Sequence, residues 1–474
     1  MKKADFKGKK ITIMGIGLHG GGVATVRFFA EAGAKVVATD IKSEKELASS
    51  LEKLEDLKNV TFVLGQHRME DFVRVNMVVK GPAIPWNSKH IQAALKKNVP
   101  VEMDSSLFFK MCKLPIVGIT GTKGKTTTAT LIWEILGAAG EKVFAAGIGQ
   151  KPVLDIIDEI GGEKRGVVVF EISSWRLSAL GQAGLGPHIA VITNVFPDHL
   201  NYYSSMEKYI ADKKYIFSSQ KADDFAVLNY DNKATRFLAD EAKSKIVFFT
   251  ADAKIDSSCD FVGVKEGKIF YKGSGGEKVI CDLNDIKLRG AHSLYNVLAA
   301  AAATFVYGVA PEKICDAVKN FKGVPHRLEL VRELDKVKYY NDTAATTPDA
   351  AIAGINSFSE RITLIAGGAD KNLDFKEFAK VISEKVRKVV LLKGEATEKI
   401  KAELKKIVTL EPSSRVTIDS EFDSMEKAVL RAKSISGPGD VVLLSPGAAS
   451  FGLFLNEFDR GEKFREAVEK LGSA

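Results

Sequence analysis

Residues Pro115 to Thr128 read PIVGITGTKGKTTT. The apolar residues Ile116, Val117 and Ile119 meet a glycine-rich loop, and a helical pattern opens at Lys125-Thr126. Glycines let backbone N–H groups turn toward an anion, and a helix N-terminus adds partial positive charge. Lys125 is placed to reach the outer phosphates of a nucleoside triphosphate, and the Thr126 hydroxyl to sit on Mg²⁺. The loop is a tight one, Gly121-Thr122-Lys123-Gly124-Lys125-Thr126-Thr127, with Ile119 where the longer pattern has its first glycine.

Further chemistry-bearing residues close apolar runs. GVVVF ends in Glu171, and the run from Pro187 to Thr193 leads into Asn194-Val195-Phe196-Pro197-Asp198-His199. In open α/β sheets, ligands sit beyond the carboxyl ends of the strands, so these groups should converge with Lys125 in one crevice. Glu171 would be a second Mg²⁺ ligand, with helix capping at Ser173 or Ser174 as its plainer role. His199 is either functional there or an ordinary surface histidine. Near the start, Gly15-Ile16-Gly17-Leu18-His19-Gly20 follows a strand-like KITIM, and Asp40 ends the next strand-like run. This GxGxxG pattern with a distant acid marks a Rossmann-type unit for a nucleotide-like ligand. NAD is its first reading.

The elements that must hold these residues alternate strand and helix. Strands are expected at Lys10–Met14, Lys35–Thr39, Val60–Leu64, Met77–Lys80 and Val99–Met103, then through the central run from Ile116 to Phe249. The last third repeats the theme, with strands near Val337, Ile362, Val389 and Val441. Residues 259–288 carry short strands and glycine turns, which suits a small antiparallel patch on a mostly parallel, doubly wound sheet. The 474 residues are too many for one core. We place three α/β domains at 1–112 (Rossmann-like), 113–323 (a phosphate-loop ATPase type) and 324–474 (Rossmann-like again).

Composition is that of an ordinary globular protein. The net charge of +8 is spread without a basic run, so it speaks for anionic small substrates rather than nucleic acid. The four cysteines (Cys112, Cys259, Cys281, Cys315) are far apart in sequence, form no metal-type pair and read as reduced packing residues of a cytoplasmic protein. No signal peptide or membrane span is expected.

Taken together, GTKGKTTT, EISSW, NVFPDH, YIADK, LRGAHSLYN, FKGVPHRLE and NDT-AAT resemble the Mur ligase family, in the family's order across nearly the whole chain. These are ATP-dependent amide-bond-forming enzymes of peptidoglycan assembly. The GIGLHGGG…VVATD unit, the KGPAIP turn and GGADKNLDF are most similar to members that add D-glutamate to UDP-N-acetylmuramoyl-L-alanine. The resemblance implies a UDP-binding first domain, a central ATPase domain and a third domain for the amino acid, whose closure turnover would require. It moves the first glycine motif from NAD to UDP, with Gly17, Leu18, His19, Asp40 and Lys42 facing that end. It implies two Mg²⁺ sites held by Thr126, Glu171 and His199, with Lys213 as the family lysine that is carbamylated. It gives Asn296 to adenine, Arg327 to the phosphates and Asp342 to the adenosine side. Thr346, Lys371 and Ser450 fall to the amino acid. A monomer acting on small molecules alone is expected.

Several positions depart from the family pattern. Gly147, with Gln150 nearby, stands where asparagine is usual, Arg176 where glutamine is, and Ser293 where asparagine is. Ala344 replaces a lysine of the D-glutamate enzymes, and Gly452 and Glu457 replace an acid and an aromatic. Alternatives therefore stay open: a relative adding another amino acid, a non-catalytic nucleotide-binding homologue, or an NAD-type oxidoreductase. The first domain speaks against a folate enzyme.

Overall fold

A computed structural model describes every residue except 19, 150, 199–202, 204, 253, 254, 256–259, 411–415, 473 and 474. Three sheets follow one another along the chain, so the expected three-domain α/β architecture holds. The first contains β1 (Lys10–Met14), β2 (Lys35–Asp40), β3 (Val60–Leu64), β4 (Met77–Lys80) and β5 (Val101–Glu102). Its order is β3-β2-β1-β4-β5, and every pairing is parallel. Helices cover such a sheet, so β1 and β4 are buried almost throughout. The Gly21–Glu31 helix starts so close to β1 that a Cβ on Gly22 would lie 2.2 Å from the Ile16 carbonyl oxygen.

The second sheet holds β6 (Ile116–Thr120), β7 (Val143–Ala146), β8 (Val167–Glu171), β9 (Ile189–Ile192), β10 (Phe225–Asn229) and β11 (Lys245–Phe249). It ends with the antiparallel patch β12 (Asp260–Lys265), β13 (Lys268–Gly273) and β14 (Gly276–Asp282). The order is β14-β13-β12-β11-β10-β9-β6-β8-β7. β6 thus sits between β9 and β8, and its sequence neighbour β7 is on the far edge. The third sheet holds β15 (Glu329–Leu334), β16 (Val337–Asn341), β17 (Ile362–Ala366), β18 (Val386–Leu392), β19 (Thr417–Phe422) and β20 (Val441–Leu444), in the order β15-β16-β20-β17-β18-β19.

Two compact units emerge. Residues 1–286 with 295–320 carry the first two sheets, and residues 287–294 with 321–474 carry the third. Among the described residues, no helix is long and apolar enough to cross a membrane.

One expectation from the sequence is corrected. Cys281 and Cys315 do form a pair: their sulfur atoms lie 3.2 Å apart, because the Pro311–Asn320 helix packs on β14. Sequence separation concealed a contact that only the tertiary fold creates. Cys259 lies outside the described residues.

Candidate active site

The phosphate loop leaves β6 at the sheet's switch point, where a ligand crevice is expected. Ile119 pairs with Glu171 of β8, and Thr120 with Ile192 of β9, which brings Glu171 and Thr193-Asn194 to the same edge. Asn194 fixes the loop from both sides. Its Oδ1 accepts from Lys123 N at 2.9 Å, its Nδ2 donates to Lys123 O at 3.0 Å, and its own carbonyl accepts from Thr122 N at 3.0 Å. Thr193 Oγ1 donates to Lys123 O at 2.6 Å, and Thr122 Oγ1 accepts from Phe196 N at 3.0 Å. These ties account for the tight form of the loop: neighbouring side chains hold it where extra length is missing.

Gly124 has φ +83°, and a Cβ there would lie 2.2 Å from Asn296 Oδ1. Asn296 is buried and also accepts from Thr128 Oγ1 at 3.4 Å. The residue assigned to adenine thus presses its amide oxygen on the loop itself. Lys125 Nζ donates to the carbonyls of Gly121 and Thr122, at 3.0 and 3.1 Å. Among the described residues, no donor reaches the Glu171 carboxylate, and the Thr126 hydroxyl has no protein partner. Two oxygen donors with no hydrogen-bond partner among the described residues, beside an anion-binding loop, fit a hard divalent cation. His199 lies outside the described residues, as do His19 and Gln150.

Lys213, in the Met206–Ser218 helix, is 1% exposed. Its Nζ sits 4.5 Å over the Tyr209 ring, and the Tyr209 hydroxyl lies 3.2 Å from Thr122 Oγ1. Burial, followed by the charge of Lys125, pushes the Lys213 amine well below its usual range, against the opposing pull of Asp198 and Asp212. Lys214, one residue on, points away and pairs with Glu241 at 2.6 Å. The neighbouring lysines are therefore chemically unlike, and Lys213 is the one suited to act as a neutral nucleophile.

Two groups near this crevice had no assigned task in the sequence. Lys80, which closes β4, is 2% exposed. It donates to Ile84 O at 2.8 Å and lies 4.6 Å over the Trp86 ring, with Asp104 and Asp212 in its field. Burial lowers its pKa to about 8. Arg176 grips both oxygens of Asp104, at 2.7 to 3.2 Å, and its charge also feels Glu171. A charged residue ending a buried strand was the sequence signal for Lys80.

In the first sheet, the Asp40 carboxylate accepts from Ile16 N (2.9 Å), Gly17 N (3.1 Å) and Lys42 N (3.0 Å). It shapes the glycine loop from within, while Leu18 stands exposed.

The second unit gathers the amino-acid candidates. Backbone bonds between Ala369 and Ala449 bring the Lys371 and Ser450 loops together, and Lys371 Nζ lies 5.7 Å from the Phe451 ring. Fully buried Arg460 donates to Thr343 Oγ1, Thr343 O and Ala448 O at 2.9 to 3.1 Å. It thereby fixes the segment leading to Ala344 and Thr346 against the segment leading to Ser450. Asp342 is buried and accepts from Leu328 N at 3.2 Å and Ser445 Oγ at 2.8 Å. It holds the turn that presents exposed Arg327, and burial raises its pKa to about 7.

Residues 9–102 match the MurD-like N-terminal domain of Mur ligases, 119–304 the Mur ligase middle domain, and 326–447 the Mur ligase glutamate ligase domain. The UDP-N-acetylmuramoylalanine--D-glutamate ligase of Roseiflexus sp. (strain RS-1) is 44% identical, covering 98% of this chain and 99% of that protein. Its counterpart from Symbiobacterium thermophilum is 36% identical, over 98% of each. In fold, the chain resembles the MurF ligase of Thermotoga maritima solved with ADP (TM-score 0.59, 17% identity, 99% of this chain and 100% of that one). It also resembles MurC from the same organism (TM-score 0.58, 21% identity, 97% and 99%). With all three family domains present in order and relatives matched end to end, the chain belongs to the Mur ligase family.

Proposed function

We propose that the chain is an ATP-dependent ligase that joins D-glutamate to UDP-N-acetylmuramoyl-L-alanine in peptidoglycan precursor synthesis. The observation that carries the reading is 44% identity across the whole length to a relative of that name. The site has the chemistry the reaction needs. A substrate carboxylate oxygen attacks the γ-phosphorus of ATP, ADP leaves, and an acyl phosphate forms. The amine nitrogen then attacks the acyl carbon, phosphate departs, and the amine's proton passes to phosphate or solvent.

Two anions must approach in the first step. Lys125 and the N–H groups of the loop offset that repulsion. Thr126 and Glu171 would hold Mg²⁺, with His199 assigned to a second ion; bound there, the metal supplies charge neutralisation at the transferring phosphoryl group. Lys213, buried with its amine shifted toward the neutral form, would react with CO₂ to give a carbamate and release one proton to solvent, placing an anion beside Lys125. Asp40 shapes the loop that would receive UDP together with Gly17, Leu18, His19 and Lys42. Thr346, Lys371 and Ser450 would take the amino acid, and Arg327 and Asn296 would serve ATP. Asp342 would contribute through the Arg327 turn. We place the reaction in the cytoplasm and the enzyme as a monomer.

Phosphate release should require ATP, UDP-N-acetylmuramoyl-L-alanine and an amino acid together. Across a panel of D- and L-amino acids, D-glutamate should give the highest kcat/KM. Release that ignores the amino acid would overturn the ligase reading. Preference for another amino acid would reassign the specificity to the Ala344, Gly452 and Glu457 positions.

A further inference from the structure

Two cysteines that the ligase reaction does not use meet on the edge of the central domain. Cys281 lies near the end of β14, Asp285 closes the Leu283–Asp285 turn, and Cys315 lies within the Pro311–Asn320 helix. Cys315 Sγ is 3.2 Å from Cys281 Sγ, and Asp285 Oδ2 is 3.7 Å from Cys281 Sγ and 3.8 Å from Cys315 Sγ. Lys319 Nζ stands 3.3 Å from the same Asp285 oxygen.

A tetrahedral cation with metal–sulfur bonds of about 2.3 Å and a metal–oxygen bond of about 2.0 Å sets its sulfurs about 3.8 Å apart and sulfur to oxygen about 3.5 Å. The two sulfur–oxygen separations come within about 0.3 Å of that triangle, and an opening of the thiol pair by about 0.6 Å completes it. We propose that Cys281, Cys315 and Asp285 form a site for a thiophilic divalent cation, Zn²⁺ by its donor set, that fastens the Pro311–Asn320 helix to β14. Two soft sulfurs with one carboxylate favour Zn²⁺ over Mg²⁺ or Ca²⁺. The fourth position falls to water or to the Asp282 carbonyl, which lies 3.5 Å from Cys281 Sγ.

Asp285 separates this reading from a disulfide switch. A carboxylate is a metal ligand, but it has no part in a disulfide and opposes the thiolate that thiol exchange needs. Burial, the neighbouring thiol and Asp285 all push the Cys281 thiol up. A cation reverses the balance. Both thiol protons leave to solvent, and two thiolates with one carboxylate meet a charge of +2. Lys319 then neutralises the single negative charge left over. The fastened helix also packs on the Lys125–Ala138 helix, so the site would brace the phosphate loop from behind.

The test uses the full chain, reduced and stripped with a chelator, and titrated with Cd²⁺ as a thiolate-sensitive absorbance probe and then with Zn²⁺. One equivalent should bind, raise Tm, and slow alkylation of Cys281 and Cys315 at least tenfold with Cys112 unaffected. Asp285→Asn should weaken binding at least tenfold, and Cys315→Ser should abolish the charge-transfer band. Unchanged Cd²⁺ affinity in both variants would overturn the site. So would equal alkylation rates with and without Zn²⁺, a measurement that needs no variant and is immune to misfolding. Oxidation of the pair to a disulfide in a protein that takes up no cation would make it a redox pair instead.

Discussion

Arg176→Gln restores the residue usual in the family and tests what the exchange contributes. The substitution leaves the Asp104 carboxylate, 9% exposed, without the guanidinium that contacts both its oxygens. Removing one partner of a fully buried pair costs about 3–5 kcal/mol, whereas exposed pairs are worth about 0.2–1 kcal/mol. The Arg176 side chain is 21% exposed, and Asp104 keeps the Ser105 N–H at 2.7 Å. The expected loss therefore lies between these limits, at about 2–3 kcal/mol. All three tryptophans (Trp86, Trp133, Trp175) belong to the first compact unit, so their fluorescence in urea reads the unfolding of that unit alone. Asp104→Asn should cost a similar amount, because it strands the buried cation. The double variant should recover about half of the summed loss, a coupling of at least about 1.5 kcal/mol. A loss below about 0.5 kcal/mol for Arg176→Gln, or simple additivity in the cycle, would refute the reasoning.

Three further outcomes follow from the buried groups. Lys213→Ala should cut phosphate release by about 10²-fold or more, Lys214→Ala should leave it nearly unchanged, and purging CO₂ should slow only proteins that retain Lys213; equal effects of the two substitutions would remove Lys213 from the site. Lys80 has a pKa of about 8 against 10.5 for an ordinary lysine. The unfolded chain therefore binds the extra proton between those values, and stability rises with pH across that window. Lys80→Met should accordingly stabilise the first unit at pH 7 by up to about 3 kcal/mol, a gain that fades by pH 10.5 and that urea midpoints at both pH values would measure. Asp342 runs the other way, with a pKa of about 7 against 3.8. The folded state holds its proton across that range, so stability falls as pH rises through it. Asp342→Asn should flatten the slope, read as hydrogen-exchange protection of β16 and β20 at pH 5 and pH 8 after correction for intrinsic rates.

The strands that carry the site were legible because they are buried and read as largely apolar runs. KITIM, GVVVF and the strand ending at Leu444 are examples. β15 (ELVREL) and β19 (TIDSEF) gave no such signal. They are the two edges of the third sheet, where one side meets no partner strand and charged residues are tolerated. The site divides in the same way. Lys125, Thr126 and Glu171 lie at strand and helix ends in a fixed order, so their convergence could be read along the chain. The tasks of Asp40, Asn296 and Asp342 could not, because each spends its side chain on backbone or loop atoms that only the folded chain brings near. Arg176 with Asp104, and Cys281 with Cys315, lie 72 and 34 residues apart, beyond the reach of any local pattern.

The central place of β6 has a consequence for the order of synthesis and folding. The loop's hydrogen bonds to Asn194 and Thr193 span 71 and 70 residues, and the strands on either side of β6 are themselves made later. A nascent chain that has just produced Thr127 owns every residue of the loop and none of the clamps that shape it. Such long-range closure is slow, and nucleotide competence should appear only once Asn296, which packs on Gly124, has also emerged. Chains halted before that point should fail to retain ATP, while the first sheet, closed by Glu102, can already be folding.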